Sequence, residues 1–225
     1  SGLNSSQFIQ ALGMRLGIVT MKMRYPITCN CGRPGGQWIE NDGEFIEHAL
    51  TCDTFTPYGH IPRHDEVIAA LRSVAREYGI HANREPDYYT YASGKAARPD
   101  ICFEGHPKIV TDVTIVQSKA KVGQEAAQAA ERKRKKHREA VESLGHTFHP
   151  FAMEVNGYTD RSCSDLIGAV ADSNTMPPWL RFEFTRDAYH AVSVALARGR
   201  VLSVRAAAEQ CIERASMCSR VFGEE

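Results

Sequence analysis

The stretch RPDICFEGHPKIVTDVTIV, residues 98–116, decides the fold because it predicts a β-hairpin with one aspartate on each strand. Two β-rich runs flank Glu104–Pro107, whose residue types are typical of a turn. A hairpin closed there places Asp100 opposite Asp112, with Cβ atoms roughly 4.5–5.5 Å apart. Carboxylates that close repel each other, and a shared Mg²⁺ or Mn²⁺ ion relieves the repulsion. The alternative is an exposed hairpin with two unrelated surface aspartates.

Composition limits the classes of protein that remain. The chain has 225 residues, 43% of them hydrophobic, which suits one ordinary domain plus an appendage. Lys and Arg total 27, as do Asp and Glu, so a polyanionic partner must be met by a local basic patch. We expect neither a membrane span nor a signal peptide, since no apolar run reaches the roughly 18 residues that a membrane helix needs. Seven cysteines, an odd number, indicate reduced thiols rather than a disulfide framework.

A cysteine and histidine cluster precedes the hairpin. Cys29 and Cys31 come before a glycine-rich loop, and His48 and Cys52 come after it. Three thiolates and one imidazole satisfy tetrahedral zinc, and the spacing of His48 and Cys52 lets one helical face present both. We predict a structural zinc at these four residues, with His60 as a reserve ligand. The alternative is a set of free core cysteines.

A helix is predicted between this cluster and the hairpin. It starts at Arg63, directly after Pro62, and it ends at Gly79. At its beginning, Arg63 and His64 either pack against neighbouring residues or face the aspartate site.

Residues 119–145 form the longest helical pattern in the chain. Its predicted apolar stripe contains Val122, Ala126, Ala129, Ala140 and Leu144. The side chains predicted to point away from that stripe are those of Arg134, Lys135 and Arg138.

Three other side chains of this helix, Lys133, Lys136 and His137, fall on the stripe or beside it. An isolated buried ammonium group is costly. Either the lysines extend to water, or one or both point at the aspartates. Beyond this helix we expect a strand at 146–155, a helix at 162–171 and a helical tail at 179–222. A short amphipathic helix is predicted at 7–16.

The order of these motifs carries a resemblance. After the cysteine and histidine cluster come Arg63-His64-Asp65, Arg98-Pro99-Asp100, Asp112-Val113-Thr114 and Lys133-x-x-Lys136-His137. This order resembles the restriction-like endonuclease domain of site-specific non-LTR retrotransposons, over roughly residues 25–160. Thr114 stands where restriction enzymes usually carry lysine, and His137 stands where the family often has tyrosine. The first cysteine pair is also tighter, and the zinc loop longer, than is usual.

The resemblance implies an α/β fold with a PD-(D/E)xK core, in which a mixed sheet is flanked by helices. It implies a zinc knuckle within 1–60, the nuclease core at 61–160 and a helical C-terminal extension at 161–225. The implied activity is nicking of duplex DNA to give a 3′ hydroxyl that primes reverse transcription. Implied partners are the reverse transcriptase portion of the same polyprotein and the element RNA, and the implied location is nuclear.

The resemblance also assigns residues. Asp100 and Asp112 would bind the catalytic Mg²⁺ or Mn²⁺, and Lys133, with Lys136 as second choice, would stabilise the transition state. The residues expected to contact nucleic acid are Arg63, His64, Arg98, Lys119, Lys121, Arg134, Lys135 and Arg138. Two other classes remain open. One is a catalytically inactive nuclease fold that only binds DNA or RNA, and the other is a zinc-stapled interaction domain.

Overall fold

A computed structural model describes residues 27–29, 31, 37–52, 56–117 and 121–222. The helix predicted at 7–16 lies outside these residues. The fold is α/β, with a mixed sheet flanked by helices, as predicted. None of the helices within the described ranges combines the length and the apolar character needed to cross a membrane.

The chain divides into two compact units, one containing His64–Leu196 and the other containing the described residues before and after that range. This division is of a different kind from the predicted domains, whose bounds at 60 and 160 stay a prediction. The second of these units contains a short antiparallel pair and a helix. Its elements before Arg63 are β1 (Ile27–Cys29), β2 (Gln37–Ile39), α1 (Asp42–Thr51) and the start of α2 (Thr56–Glu77).

The strands of the unit His64–Leu196 are short. They are β3 (Ala82–Arg84), β4 (Tyr89–Thr90), β5 (Ala96–Ala97), β6 (Ile101–Phe103), β7 (Ile109–Thr111), β8 (Val113–Val116), β9 (Thr147–Phe148) and β10 (Phe151–Glu154). The later helices are α3 (Gln124–Glu142), α4 (Arg161–Ser173) and α5 (Pro178–Phe222), and α5 continues past Leu196.

The predicted hairpin is confirmed as β6 and β7, which pair antiparallel. On its outer side β6 pairs antiparallel with β3, while β7 pairs in parallel with β9 and β8 pairs in parallel with β10. The register is the same for both parallel pairs, since Ile109 faces Thr147 and Val113 faces Phe151. The run 109–116 therefore pairs with 147–154 as one nearly continuous parallel ladder, and α3 forms the crossover between them.

Because side chains alternate along each strand, the two faces of this sheet pack against different helices. Ile101, Val113 and Phe151 join a core with buried residues of α2, α4 and the first part of α5. The opposite face, which includes Cys102, Val110 and Ala152, packs on α3. The aspartates flanking this hairpin share the parity of Cys102 and Val110, so they lie on the α3 side.

Two of the predicted helices have wrong boundaries. Helix α2 starts at Thr56 and contains Pro62, because proline removes only the hydrogen bond to the carbonyl four residues back and the turn before it can persist. Helix α3 is shorter than predicted, so Val122 and Leu144 lie beyond its ends and are exposed instead of extending the stripe. The longest helix is α5, with 45 residues.

Candidate functional site

Two aspartates lie side by side at the open end of the β6–β7 hairpin. The last register pair is Ile101 with Thr111, so one further step places Asp100 opposite Asp112, as predicted. The backbone N–H of Val113 donates to Asp100 Oδ2 at 2.6 Å and fixes that carboxyl at the strand end. Both side chains are largely buried, with exposed fractions of 14% for Asp100 and 6% for Asp112.

Asp100 meets a histidine from the start of α2. His64 Nε2 lies 3.0 Å from Asp100 Oδ2. Burial raises the pKa of Asp100, the hydrogen bond with His64 opposes that rise, and the adjacent Asp112 carboxylate adds to it. For His64, burial lowers the pKa, but the hydrogen bond and charge of Asp100 outweigh burial and raise it overall. The interpretation that His64 faces the aspartates is therefore the one that the contacts favour.

Asp112 meets two side chains of α3 through a single oxygen. Lys133 Nζ lies 2.7 Å from Asp112 Oδ2, and His137 Nε2 lies 2.8 Å from the same atom. Burial acts to raise the pKa of Asp112. The contacts with His137, the neighbouring carboxyl and Lys133 together outweigh burial and hold that pKa below its usual range. The aspartates are thus unequal: Asp112 is held ionised, and Asp100 is the weaker acid.

One further side chain completes the site, and sequence reasoning missed it. The Tyr91 hydroxyl, from the segment between β4 and β5, lies 3.1 Å from His137 Nδ1. Burial and then the charge of Asp112 raise the pKa of Tyr91. The sequence separation of 46 residues leaves no local signal for this contact.

The chemistry of the two carboxylates can be compared with what a divalent cation requires of its ligands. Two carboxylates that share a nearly buried position supply the hard oxygen ligands that Mg²⁺ and Mn²⁺ prefer. Burial first, and then the neighbouring Asp112, raise the pKa of Asp100, and a bound dication would offset both by favouring the ionised carboxylate. These residues therefore fit such an ion.

Lys136 differs from its prediction. It is exposed and has no ion pair with either aspartate, whereas Lys133 contacts Asp112 directly. Lys136 follows Lys133 by three residues, so its side chain is rotated by about 60° around the helix axis. This rotation places Lys136 off the buried stripe. Of the alternatives that the sequence left open, the contacts favour one lysine, Lys133, at the carboxylates, while Lys136 extends to water.

The residues predicted to contact nucleic acid lie in different environments. Arg63 is 1% exposed and donates to the Leu50 carbonyl, so its predicted phosphate contact is contradicted by burial. Arg98 and Lys121 are exposed, and Lys119 lies outside the described residues. His64 contacts Asp100. The remaining three, on the outer face of α3, each form an ion pair with a glutamate. The pairs are Arg134–Glu131 (2.7 Å), Lys135–Glu131 (3.9 Å) and Arg138–Glu142 (2.7 Å).

The cysteine and histidine cluster forms a compact group in the other unit. The four ligand atoms of Cys29, Cys31, His48 and Cys52 all lie within 4.8 Å of one another. Cys29 Sγ is 3.6 Å from Cys52 Sγ, and Cys31 Sγ is 3.7 Å from His48 Nε2. Tetrahedral zinc separates its sulfur ligands by roughly 3.8 Å, so the cluster could bind a metal such as zinc.

Local structure explains how these ligands come together. The antiparallel β1–β2 pair carries Cys29, while α1 carries His48 and ends just before Cys52. The start of α1 is capped by Asn41, whose side chain accepts from the Glu44 N–H at 3.0 Å. Burial and then the contact with Cys52 raise the pKa of Cys29 to about 12, which a bound cation would reverse by stabilising the thiolate. His60, the reserve ligand, lies in α2, and its side chain is outside the described part of the chain.

No protein-family model and no curated protein matches this chain.

Proposed function

We propose that this chain is a divalent-metal-dependent DNA endonuclease with a PD-(D/E)xK core. The observation that supports it is the meeting of two adjacent carboxylates with one lysine, in which Lys133 Nζ lies 2.7 Å from Asp112 Oδ2 beside Asp100. An ion pair with a purely structural role would not need a second buried carboxyl, that of Asp100, whose pKa is raised first by burial and then by the neighbouring Asp112.

The residues have separate roles in this proposal. Asp100 and Asp112 hold Mg²⁺ or Mn²⁺, which when bound polarises the scissile phosphate and lowers the pKa of the attacking water. Lys133 orients that water and neutralises the negative charge that develops at phosphorus. The Lys133 side chain is 27% exposed, so part of it is open to a substrate while its ammonium group contacts Asp112.

The biological role follows from the motif resemblance. We propose that the nick leaves a 3′ hydroxyl from which reverse transcription of an element RNA is primed, in the nucleus, with this chain acting beside a reverse transcriptase of the same polyprotein. The four-residue cluster is proposed to bind one zinc ion that holds β1, β2 and α1 together.

The test is a nicking assay on supercoiled plasmid with Mg²⁺ or Mn²⁺. Asp112→Asn, which keeps size and removes the charge, should abolish nicking. Lys133→Ala should lower the rate on the order of 10²-fold, because it removes a charge that stabilises the transition state. Lys135→Ala is the matched control. It removes another lysine side chain from the same helix, two residues from Lys133, at an outer position where the side chain is 77% exposed.

Two results would contradict the proposal. One is nicking by Asp112→Asn at the wild-type rate in Mg²⁺. The other is wild-type protein that binds plasmid but never nicks it with either metal, which would favour a nuclease fold that only binds nucleic acid.

A further inference from the structure

His137 is buried in a helix face made otherwise of small apolar side chains. It is 1% exposed, and its buried neighbours on α3 are Ala129, Ala130, Ala140 and Val141. Its imidazole packs against the ring of Phe148, with centroids 5.6 Å apart. Burying a polar ring costs free energy unless its nitrogens have hydrogen-bond partners. Apolar packing alone therefore does not explain a histidine at this position.

Both ring nitrogens face polar atoms of the site. Nε2 lies 2.8 Å from Asp112 Oδ2, although its N–H is not aligned for a full hydrogen bond, and Nδ1 lies 3.1 Å from the Tyr91 hydroxyl. An ionised carboxylate only accepts, so the ring nitrogen that faces it, Nε2, is assigned the proton. Nδ1 is then the acceptor, and the Tyr91 hydroxyl donates to it.

This chain of contacts fixes one rotation of the Asp112 side chain. Lys133 and His137 meet the same oxygen, Oδ2, from neighbouring positions of α3. The imidazole cannot turn without losing Tyr91, whose ring also packs on it with centroids 5.7 Å apart. Groups that orient a metal-binding side chain commonly govern metal affinity.

We propose that Tyr91 and His137 are positioning residues that orient Asp112 for the divalent cation. This inference rests on the proposed function, because it takes Asp112 as a ligand of that cation. Neither residue touches the substrate: His137 acts through Asp112, and Tyr91 acts through His137.

The experiment measures Mn²⁺ affinity by calorimetry, with the signal of Asp112→Asn subtracted so that only the aspartate site is counted. Tyr91→Phe keeps the ring and removes the hydroxyl, and His137→Leu removes both nitrogens. His137→Gln keeps an N–H donor near the position of Nε2. Tyr88→Phe is the matched control, because its hydroxyl donates to Cys102 Sγ at 3.3 Å and not to His137.

We expect His137→Leu to weaken Mn²⁺ binding by about 10- to 100-fold, Tyr91→Phe to weaken it by less, and His137→Gln to recover part of the loss. In nicking assays the Mg²⁺ concentration that gives half the maximal rate should rise by the same factors, with the KM for DNA unchanged. Tyr88→Phe should match the wild type in both measurements.

Wild-type Mn²⁺ affinity in folded Tyr91→Phe and His137→Gln would overturn this inference, and so would equal losses in Tyr91→Phe and Tyr88→Phe. Either result leaves nicking by the wild type intact. Failure of the proposed function is a different observation, namely wild-type protein that never nicks DNA.

Discussion

Two glycines at the ends of α3 share a backbone conformation but differ in their surroundings. Gly123 has φ +86° and Gly145 has φ +72°. A Cβ atom at Gly123 would lie 2.5 Å from the ring of Tyr158, whereas nothing lies within 4 Å of one at Gly145. The Gly123 N–H also donates to the buried carboxylate of Glu154 at 2.7 Å, so this turn fixes where α3 begins.

Alanine substitutions at these two glycines should distinguish the cost of backbone strain from the cost of steric overlap. Gly145→Ala should lower the free energy of unfolding by about 1–2 kcal/mol, the cost of a left-handed conformation for a residue with a Cβ atom. Gly123→Ala should cost more, because the Tyr158 ring must also move. Chemical denaturation of both variants measures the difference. Equal costs would mean that the ring swings into solvent freely.

The sequence predicted some single residues of the site well. Asp100, Asp112 and Lys133 follow from patterns of a few residues, namely strand alternation and the helical repeat, and the contacts agree with them. Tyr91 could not be found, because it meets His137 across 46 residues of chain.

At the scale of elements, the two flanks of α3 differ in their charge contacts. The outer flank, with Arg134, Lys135 and Arg138, is neutralised by nearby glutamates. On the other flank Arg132 and Lys136 are exposed and form no ion pair with any described residue. They lie on the side of Lys133 away from His137, Arg132 by about 100° and Lys136 by about 60° of helix rotation. This flank is therefore the better candidate for phosphate contacts beside the site.

We expect Arg132→Ala combined with Lys136→Ala to reduce the slope of log affinity against log salt by about 1.8 for duplex DNA, as two lost phosphate contacts require. The matched pair, Arg134→Ala with Lys135→Ala, removes the same charge from the same helix and should change the slope less. Binding titrations over a range of salt in Ca²⁺ measure both. A larger effect of the outer pair would refute the assignment.

Element boundaries were harder to predict than element types. The hairpin, α3 and the helical tail were expected, since their periodicity is strong. The start of α2 was not, because Pro62 is normally taken as a helix boundary. Exposure of Val122 and Leu144 shows that the apolar stripe of α3 was extended past its true ends.

At the scale of the whole molecule, the two units have different sources of stability. The described part outside His64–Leu196 has short strands and few large apolar side chains before Arg63. Those that are buried are Ile39, Phe45, Ile46 and Leu50. A metal at the four-residue cluster would contribute folding free energy there directly. Purified protein should therefore contain about one equivalent of zinc by elemental analysis.

Cys52→Ala should lower the zinc content and increase hydrogen exchange of the α1 backbone. Cys211→Ala is the control, because this half-buried thiol lies outside the cluster. The zinc assignment fails if wild-type protein holds less than about half an equivalent, or if both variants keep the wild-type content.

The nearly continuous ladder between 109–116 and 147–154 has a consequence for synthesis on the ribosome. The β6–β7 hairpin joins residues close in sequence, so Asp100 and Asp112 can meet early. The parallel partner of β8 is β10, which emerges 38 residues later, after all of α3. We therefore expect a nascent chain to bring its two acidic side chains together before the strand that completes their support has been made, and Lys133, the lysine proposed to act beside them, is synthesised between the two events.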